Sequence, residues 1–387
     1  MSDIGVKKMF QHSNFFKQLF RTIKRISHTY YPNFIFGLPT KQDQIPVFVY
    51  HDVDAQDFET DLQFLKVNGY HTVSIDELLK NDNRASQKTV LLTFDDARRN
   101  FWETAFPLIK KYNAQATIFL PTLWARHQSF PQIEKPAGSD GLFMNWKEIA
   151  ACENSDFVKV ESHGYRHALV YNSKSIETFA TPDLLKKYDI FDWPMRSSSN
   201  NDILGQPKLG TPVYSAKPLL SSNYRIIEDD RLSEACQNLV DDGGGKEFFK
   251  KNNWADLLRK MYLREYKNGR GFRKIEKKEF SSQIKNEFIL SANEFEENLN
   301  TRPRYFAYPW ELGTNFSIRF AAEMGIRAVF GVGKDYSRIR HQREDIPCFY
   351  RIKGDWLRFL PGKGRKRFRK VMFQKIINFQ KIQHLAH

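Results

Sequence analysis

From about residue 45, short apolar runs alternate with stretches whose apolar positions recur every three or four residues. Pro46–Tyr50, Thr89–Phe94, Gln115–Leu120 and Phe157–Val160 are short, largely apolar runs, the pattern of strands buried on both faces. Between them, Phe58–Val67, Phe101–Tyr112 and Trp146–Cys152 read as helices, with Phe58, Leu62 and Leu65 on one face of the first. The alternation resumes with a helix over Ser282–Leu299, a strand over Arg304–Tyr308, a helix over Ser317–Met324 and a strand over Arg327–Phe330. Such alternation predicts an α/β architecture on a parallel sheet or barrel.

Between about 170 and 280 the rhythm fails. Ser197–Asn201, Gly210–Pro212 and Asp241–Gly245 are loop-like, and helical pieces such as Trp254–Tyr266 lie among them. The reading is one domain over 45–350 carrying a long insertion on one face, without a second core. Segments 1–44 and 351–387 flank it. No internal repeat is evident.

Charge changes the picture of those flanks. The 387 residues are 41% hydrophobic and 14% aromatic, which excludes a wholly disordered chain, and they carry a formal net charge of +15. Residues 1–28 hold a net +5 and 351–387 a net +10, so 29–350 is neutral. A protein gripping nucleic acid through its core would spread the surplus over the fold, and no nucleic-acid partner is expected. Both ends are also amphipathic: Phe16, Leu19, Phe20, Ile23 and Ile26 are interleaved with Lys17, Arg21, Lys24 and Arg25, and Phe368–Phe379 is similar. Each end is either an interfacial helix on an anionic membrane surface or a helix docked on the domain with its basic face in water.

No apolar stretch resembles a secretory signal or a membrane span. Cys152, Cys236 and Cys348 are odd in number and far apart, which suggests neither a disulfide framework nor a thiolate zinc site. The expectation is a cytoplasmic protein, peripheral at the inner membrane face if its ends bind lipid.

The candidate chemistry sits at strand ends. Thr89–Phe94 runs into Asp95-Asp96, which is either a catalytic pair or a helix N-cap. Phe157–Val160 runs into Glu161-Ser162-His163, with His167 four residues on, a spacing that lets two imidazoles meet one cation. A carboxylate with two imidazoles is a common open zinc site in hydrolases. Tyr50-His51 ends the first strand, so His51 is either a hydrogen-bonded structural group or an acid. Tyr308, Pro309 and Trp310 end the strand Arg304–Tyr308, where aromatics either line a sugar groove or pack.

Together these residues resemble the polysaccharide deacetylases with a NodB-like domain. Thr93-Phe94-Asp95-Asp96 is similar to that family's T-F-D-D segment, and Ser162-His163-Gly164-Tyr165-Arg166-His167 to its H-S/T-x-x-H metal motif. Phe306-Ala307-Tyr308-Pro309-Trp310 and Tyr50-His51 are similar to motifs of the branch that acts on poly-N-acetylglucosamine. Four positions depart from the pattern: Ala97 for Gly, Gly164 for Ser or Thr, Ala307 for an Arg that orients the base, and Glu311 for Gly.

The resemblance implies a distorted (β/α) barrel of about seven strands and a metal-dependent carbohydrate N-deacetylase. It implies Asp95 as base, His51 as acid, and Asp96, His163 and His167 as ligands of Zn2+ or another divalent transition metal. Tyr308, Pro309 and Trp310 would meet the substrate. That substrate would be an N-acetylated or N-formylated amino sugar, in a glycan or on a lipid. A carbohydrate-binding protein that keeps the fold without catalysis is the first alternative, and a nucleic-acid-binding protein using its basic tails is the second.

Overall fold

A computed structural model describes residues 32–37, 45–80, 88–125, 136–198, 201–269, 271–332, 340–343 and 346–366. The two amphipathic ends, 16–26 and 368–379, lie outside the described residues. Among these residues, no helix is long and apolar enough to cross a membrane.

The first half follows the alternation read from sequence. Strands β1 (Val47–Tyr50), β2 (His71–Thr72), β3 (Thr89–Asp95), β4 (Ala116–Leu120) and β5 (Val158–Ser162) are joined by helices including α1 (Ala55–Val67), α2 (Ile75–Lys80), α3 (Phe106–Tyr112) and α4 (Trp146–Glu153). One expected helix differs in detail. Phe101–Ala105 is a π-helical turn leading into α3, in which the Phe106 N–H reaches back to the Phe101 carbonyl. Pro107, lacking an N–H, cannot continue a regular ladder there.

The inserted segment contains β6 (Leu169–Phe179), β7 (Arg196–Ser198), β8 (Asn201–Ile203), β9 (Pro212–Pro218), β10 (Arg225–Glu228) and β11 (Phe272–Ile275). They pair antiparallel as β6 with β9, β7 with β8 and β10 with β11. Helices α5 (Pro182–Lys187), α6 (Asp230–Asp242) and α7 (Trp254–Lys267) lie among them. Here the sequence reading is corrected, because Tyr171, Tyr214, Leu232, Cys236, Phe248 and Leu258 form a buried apolar cluster belonging to the insertion. Its apolar positions are scattered over short strands and two amphipathic helices, so no single run announces a core.

Helix α8 (Lys277–Leu299) returns the chain to the body, followed by β12 (Tyr305–Ala307), α9 (Asn315–Glu323), β13 (Ala328–Phe330), β14 (Arg340–Arg343), β15 (Ile346–Phe349) and β16 (Ile352–Lys353). The main sheet has the order β14-β15-β13-β12-β5-β4-β3-β1-β16, with β2 beside β3. All its pairings are parallel except β14 with β15. The sheet curls into a half-barrel, as a distorted (β/α) barrel requires.

Period-two alternation sorts each strand onto two faces. Phe48, Leu92, Phe94, Ile118 and Val160 pack against the helices, while Val47, Leu91, Phe119, Ala307, Phe330 and Phe349 form a second cluster across the sheet. Asp95 shares the parity of Leu91 and Phe119, so it projects to that second face at the carboxyl end of β3.

The body extends beyond 350, which corrects the expected boundary of a basic tail at 351. Strand β16 pairs with β1 through Phe48↔Ile352, and Leu357, Phe359 and Leu360 are buried in the largest cluster. Gly354 sits so close to β1 that a Cβ there would run into the Tyr50 ring. That ring is stacked on Phe94 at 5.2 Å and hydrogen-bonded to Asp61, so it has little room to yield. Gly354→Ala is therefore expected to lower stability by about 1–3 kcal/mol, the usual cost of overpacking, read as a lower urea midpoint at unchanged m-value.

Candidate active site

Parallel strands deliver their carboxyl ends to one edge, and the predicted chemistry gathers there. Among the described residues, eight non-glycine residues have positive φ, and five of them lie in three of these strand-end loops: Asp96 (71°), Ala97 (47°), His167 (48°), Trp310 (53°) and Glu311 (61°). Left-handed backbone costs an ordinary residue of order 1–3 kcal/mol, so packing around these loops must hold them.

The imidazole loop shows how it is held. Glu287, on α8, accepts from the Tyr165 and Arg166 backbone N–H groups at 3.2 and 2.8 Å, and its other oxygen meets the Arg166 guanidinium at 2.5 Å. The Gly164 N–H donates to the Ser162 hydroxyl at 3.0 Å, and Ser162 is paired with Ser291 of α8 at 2.8 Å. Gly164, one of the departures from the family pattern, has φ 87°, a conformation that a Ser or Thr there would strain. Below the loop, buried Glu161 accepts from the Arg304 and Tyr305 N–H groups, joining β5 to β12 where only Phe306↔Ser162 pair. Burial pushes its carboxyl up to about 8, against those two hydrogen bonds.

Asp96, His163 and His167 come together: one ligand atom from each lies within 4.8 Å of the others. His163 Nδ1 is 2.8 Å from the Ala307 carbonyl, which fixes it as the N–H and leaves the Nε2 lone pair facing the carboxylates. His163 Nε2 is 3.8 Å from Asp96 Oδ1, and His167 Nε2 is 3.5 Å from the same oxygen. Burial lowers the pKa of both imidazoles, favouring the neutral form that ligates metal. The His167 ring lies between Phe191 at 4.0 Å and Trp310 at 4.3 Å, centroid to centroid.

Whether a cation fits can be read from Asp96. Its Oδ2 is 3.5 Å from Arg98 Nε, while Oδ1 is buried without a hydrogen-bond partner among the described residues, as is His167 Nδ1. A buried carboxylate oxygen left bare and aimed at two neutral imidazoles is costly unless a cation sits between them. One oxygen and two nitrogens suit zinc or a similar divalent transition metal. Arg98 is itself buried, bonded to Asp189 at 2.6 Å and stacked on Phe143 and Phe191 at 5.0 and 4.9 Å. Alanine at Asp96, His163 or His167 is expected to abolish binding of one equivalent of divalent metal, measured by elemental analysis of the purified protein.

Asp95 lies beside this group, with Oδ2 3.6 Å from His163 Nε2. Arg351 donates to both its oxygens, at 2.6 and 2.7 Å, and also reaches Glu311 Oε1 at 2.7 Å. The guanidinium is 1% exposed and stacks over Phe119 at 5.5 Å. Burial opposes ionisation of Asp95, yet Arg351 and then His163 hold its carboxyl well below the usual carboxylate range. For Glu311 burial dominates and raises the pKa.

Arg351 therefore does what the sequence assigned to no residue, since Ala307 occupies the place of an orienting Arg. One signal was available: Ile346–Phe349 is an apolar run, and Arg351 follows its end as Asp95, His163 and His51 follow theirs. Arg98, Glu287 and Phe191 were also missed: Arg98 directly follows the Asp95-Asp96-Ala97 segment, and the other two lie in segments that carry no motif.

The other predicted residues are placed less uniformly. His51 follows β1 at the same edge and is exposed. Its loop is tied to the Asp95 loop by Asn100, which exchanges hydrogen bonds with the Val53 backbone at 2.8 and 3.1 Å. Tyr308 is a correction. It is fully buried among Phe306, Ile318 and Val329, with its ring against Gly313, so it offers no surface to a sugar. Pro309 is buried too, and Trp310 alone of the three reaches the site, through His167.

Comparison with known proteins finds relatives among carbohydrate deacetylases. Residues 82–190 match the family model for polysaccharide deacetylases. A Bacillus subtilis protein named as a polysaccharide deacetylase, YxkH, is 34% identical over 91 residues, or 21% of this chain and 33% of its own. The poly-beta-1,6-N-acetyl-D-glucosamine N-deacetylase of Staphylococcus epidermidis is 26% identical over 196 residues, covering 50% of this chain and 61% of its own. The chain thus spans less than two thirds of either relative. Among solved structures, a de-N-acetylase from Aggregatibacter actinomycetemcomitans aligns at 16% identity and TM-score 0.45, covering 80% of this chain and 94% of that one. Over residues 82–190, the chain is thus similar to the polysaccharide deacetylase family.

Proposed function

We propose that the protein is a metal-dependent hydrolase that removes an N-acetyl group from an amino sugar of a glycan. The observation that carries this reading is that one potential ligand atom from each of Asp96, His163 and His167 lies within 4.8 Å of the others, beside an Asp95 held by Arg351. Asp96, His163 and His167 would hold the metal, which when bound supplies Lewis-acid polarisation of the amide carbonyl and a more acidic water.

The chain's own residues do the rest. Asp95, kept ionised by Arg351, takes the proton of the attacking water as general base. A backbone N–H near Trp310 faces the developing oxyanion; the Glu311 and Leu312 N–H groups are already given to Tyr308 and Pro309 carbonyls, which leaves that of Trp310. His51, exposed at the mouth, gives a proton to the departing nitrogen, because an amide anion is too basic to leave unprotonated. The products are a free amino sugar and acetate.

The test is incubation of the full chain with divalent metal and a panel of N-acetylated saccharides: β-1,6-linked oligomers, lipid-linked sugars and nucleotide-linked sugars. Mass spectrometry should show loss of one acetyl group from at least one class. Metal-replete protein that leaves every member intact would refute the reading.

A further inference from the structure

A second concave site lies outside the catalytic edge. A cavity of about 630 Å³ opens between the inserted segment and the wall formed by Leu123–Ala125 and Pro136–Ser139. Strands β7, β8 and β10, the first turns of α6, Tyr171 of β6, Met195 and the 204–208 segment supply the rest of its lining. Its volume is in the range of small-molecule sites. Trp124 belongs to the wall, packs edge-on against Phe191 at 4.9 Å, and Phe191 stacks on His167 at 4.0 Å. The cavity is thus two ring contacts from a candidate metal ligand.

The lining selects a chemical class. It carries three cations (Arg196, Lys208, Arg225) and four carboxylates (Asp202, Glu228, Asp230, Glu234), so it is not built to choose an oxyanion. Two Gln amides and four hydroxyls add further donors and acceptors, so it is not built for a lipid chain either. Part of this polarity is unspent. Arg225 is 6% exposed and pairs with Asp202 at 2.8 Å, yet its Nε has no partner among the described residues. The Arg196 guanidinium is bonded, among the described residues, to the Gly205 and Gln206 carbonyls at 3.1 and 3.5 Å. Planar amide, carboxylate and guanidinium groups, offered in near charge balance next to aromatic rings, match a ligand whose hydroxyls both donate and accept.

We propose that this cavity is a binding site for an uncharged saccharide, and that it holds sugars of the same glycan whose acetamido group enters the catalytic edge. The second clause rests on the deacetylase reading; the first does not. The insertion then sets a preference for chain length, because a single sugar at the metal cannot also fill the cavity.

The experiment uses the full chain and N-acetylglucosamine oligomers of one to five sugars. In the wild type, kcat/KM is expected to rise about tenfold or more from monomer to pentamer. Ile203→Trp and Lys208→Trp, both at exposed lining positions, should remove most of that gain and leave turnover of the monomer unchanged, which also shows that the variants fold. Equal length dependence in wild type and both variants, or none in the wild type, overturns the proposal. A binding arm separates it from the catalytic reading. If no oligomer is deacetylated, calorimetric binding of the pentamer that both Trp variants weaken about tenfold supports the cavity while the hydrolase reading fails. Pentamer binding unchanged by either variant, or absent, sinks the cavity proposal whatever the activity.

Discussion

Asp95→Asn is expected to lower kcat by roughly 10²–10⁴-fold, the span associated with losing a general base, while the protein keeps its full metal content. The separation of the two readouts is the point of the experiment. Asp96, His163 and His167 converge without Asp95, so an amide at 95 leaves the ligand atoms in place. What the amide loses is a site for the water's proton. It also presents a donor where Arg351 now donates to two acceptors, so the side chain keeps only one of its two bonds. A variant that lost metal in parallel with rate would move Asp95 into the ligand set, and one that stayed fully active would remove it from the chemistry.

Arg351→Met should be the most damaging single change to stability, at about 3–5 kcal/mol near neutral pH. It leaves buried Asp95 and part-buried Glu311 with no guanidinium between them. The pH dependence follows from the sign of the shift. In the wild type, the folded pKa of Asp95 lies below its unfolded value of about 3.9. Its ionised form therefore contributes stability above that pH, and the contribution is lost as the pH falls through the folded value. Without Arg351, burial is opposed mainly by His163, and the carboxyl rises. The gap in unfolding free energy between wild type and variant should thus be largest near pH 7 and shrink as the pH falls, first through the raised value of the variant and then through the depressed value of the wild type. Urea titrations of metal-free protein across that range check it; a gap independent of pH would show that Arg351 acts by packing on Phe119 rather than by charge. In turnover, the acid limb of the pH–rate profile should move to higher pH.

The parts of the fold that a linear pattern can carry were legible in the sequence. Strands β1, β3, β4 and β5 lie in largely apolar runs, and β1, β3 and β5 each lead into a polar residue that the parallel sheet takes to one edge. Asp95, Asp96, His163 and His167 were found because each pair is local, two side chains on one strand-end loop. Arg351 was not, because its partner Asp95 lies 256 positions earlier and its charge merges with a run of basic residues. Tyr308 misled for a related reason. An aromatic at a strand end looks the same whether its ring turns to solvent or to Phe306, and only the packing of α9 beneath it decides. The core of the insertion was hidden because its apolar residues are divided among short strands with shifted register, as between β6 and β9.

Strand β16, which lies beside β1 and is preceded by Arg351, has a consequence for synthesis. Domains tend to form from the N-terminus as the ribosome releases them. Yet here the first strand of the sheet waits for nearly the last segment of the chain to arrive beside it. Until then the edge near β1 is an open template, and Asp95 has no cation to accompany it into the interior. A nascent chain can assemble the three would-be metal ligands, all emerged by residue 167, long before the side chain that completes the base. Any message cut short before codon 351 would encode a protein with its ligand set present and its base unsupported.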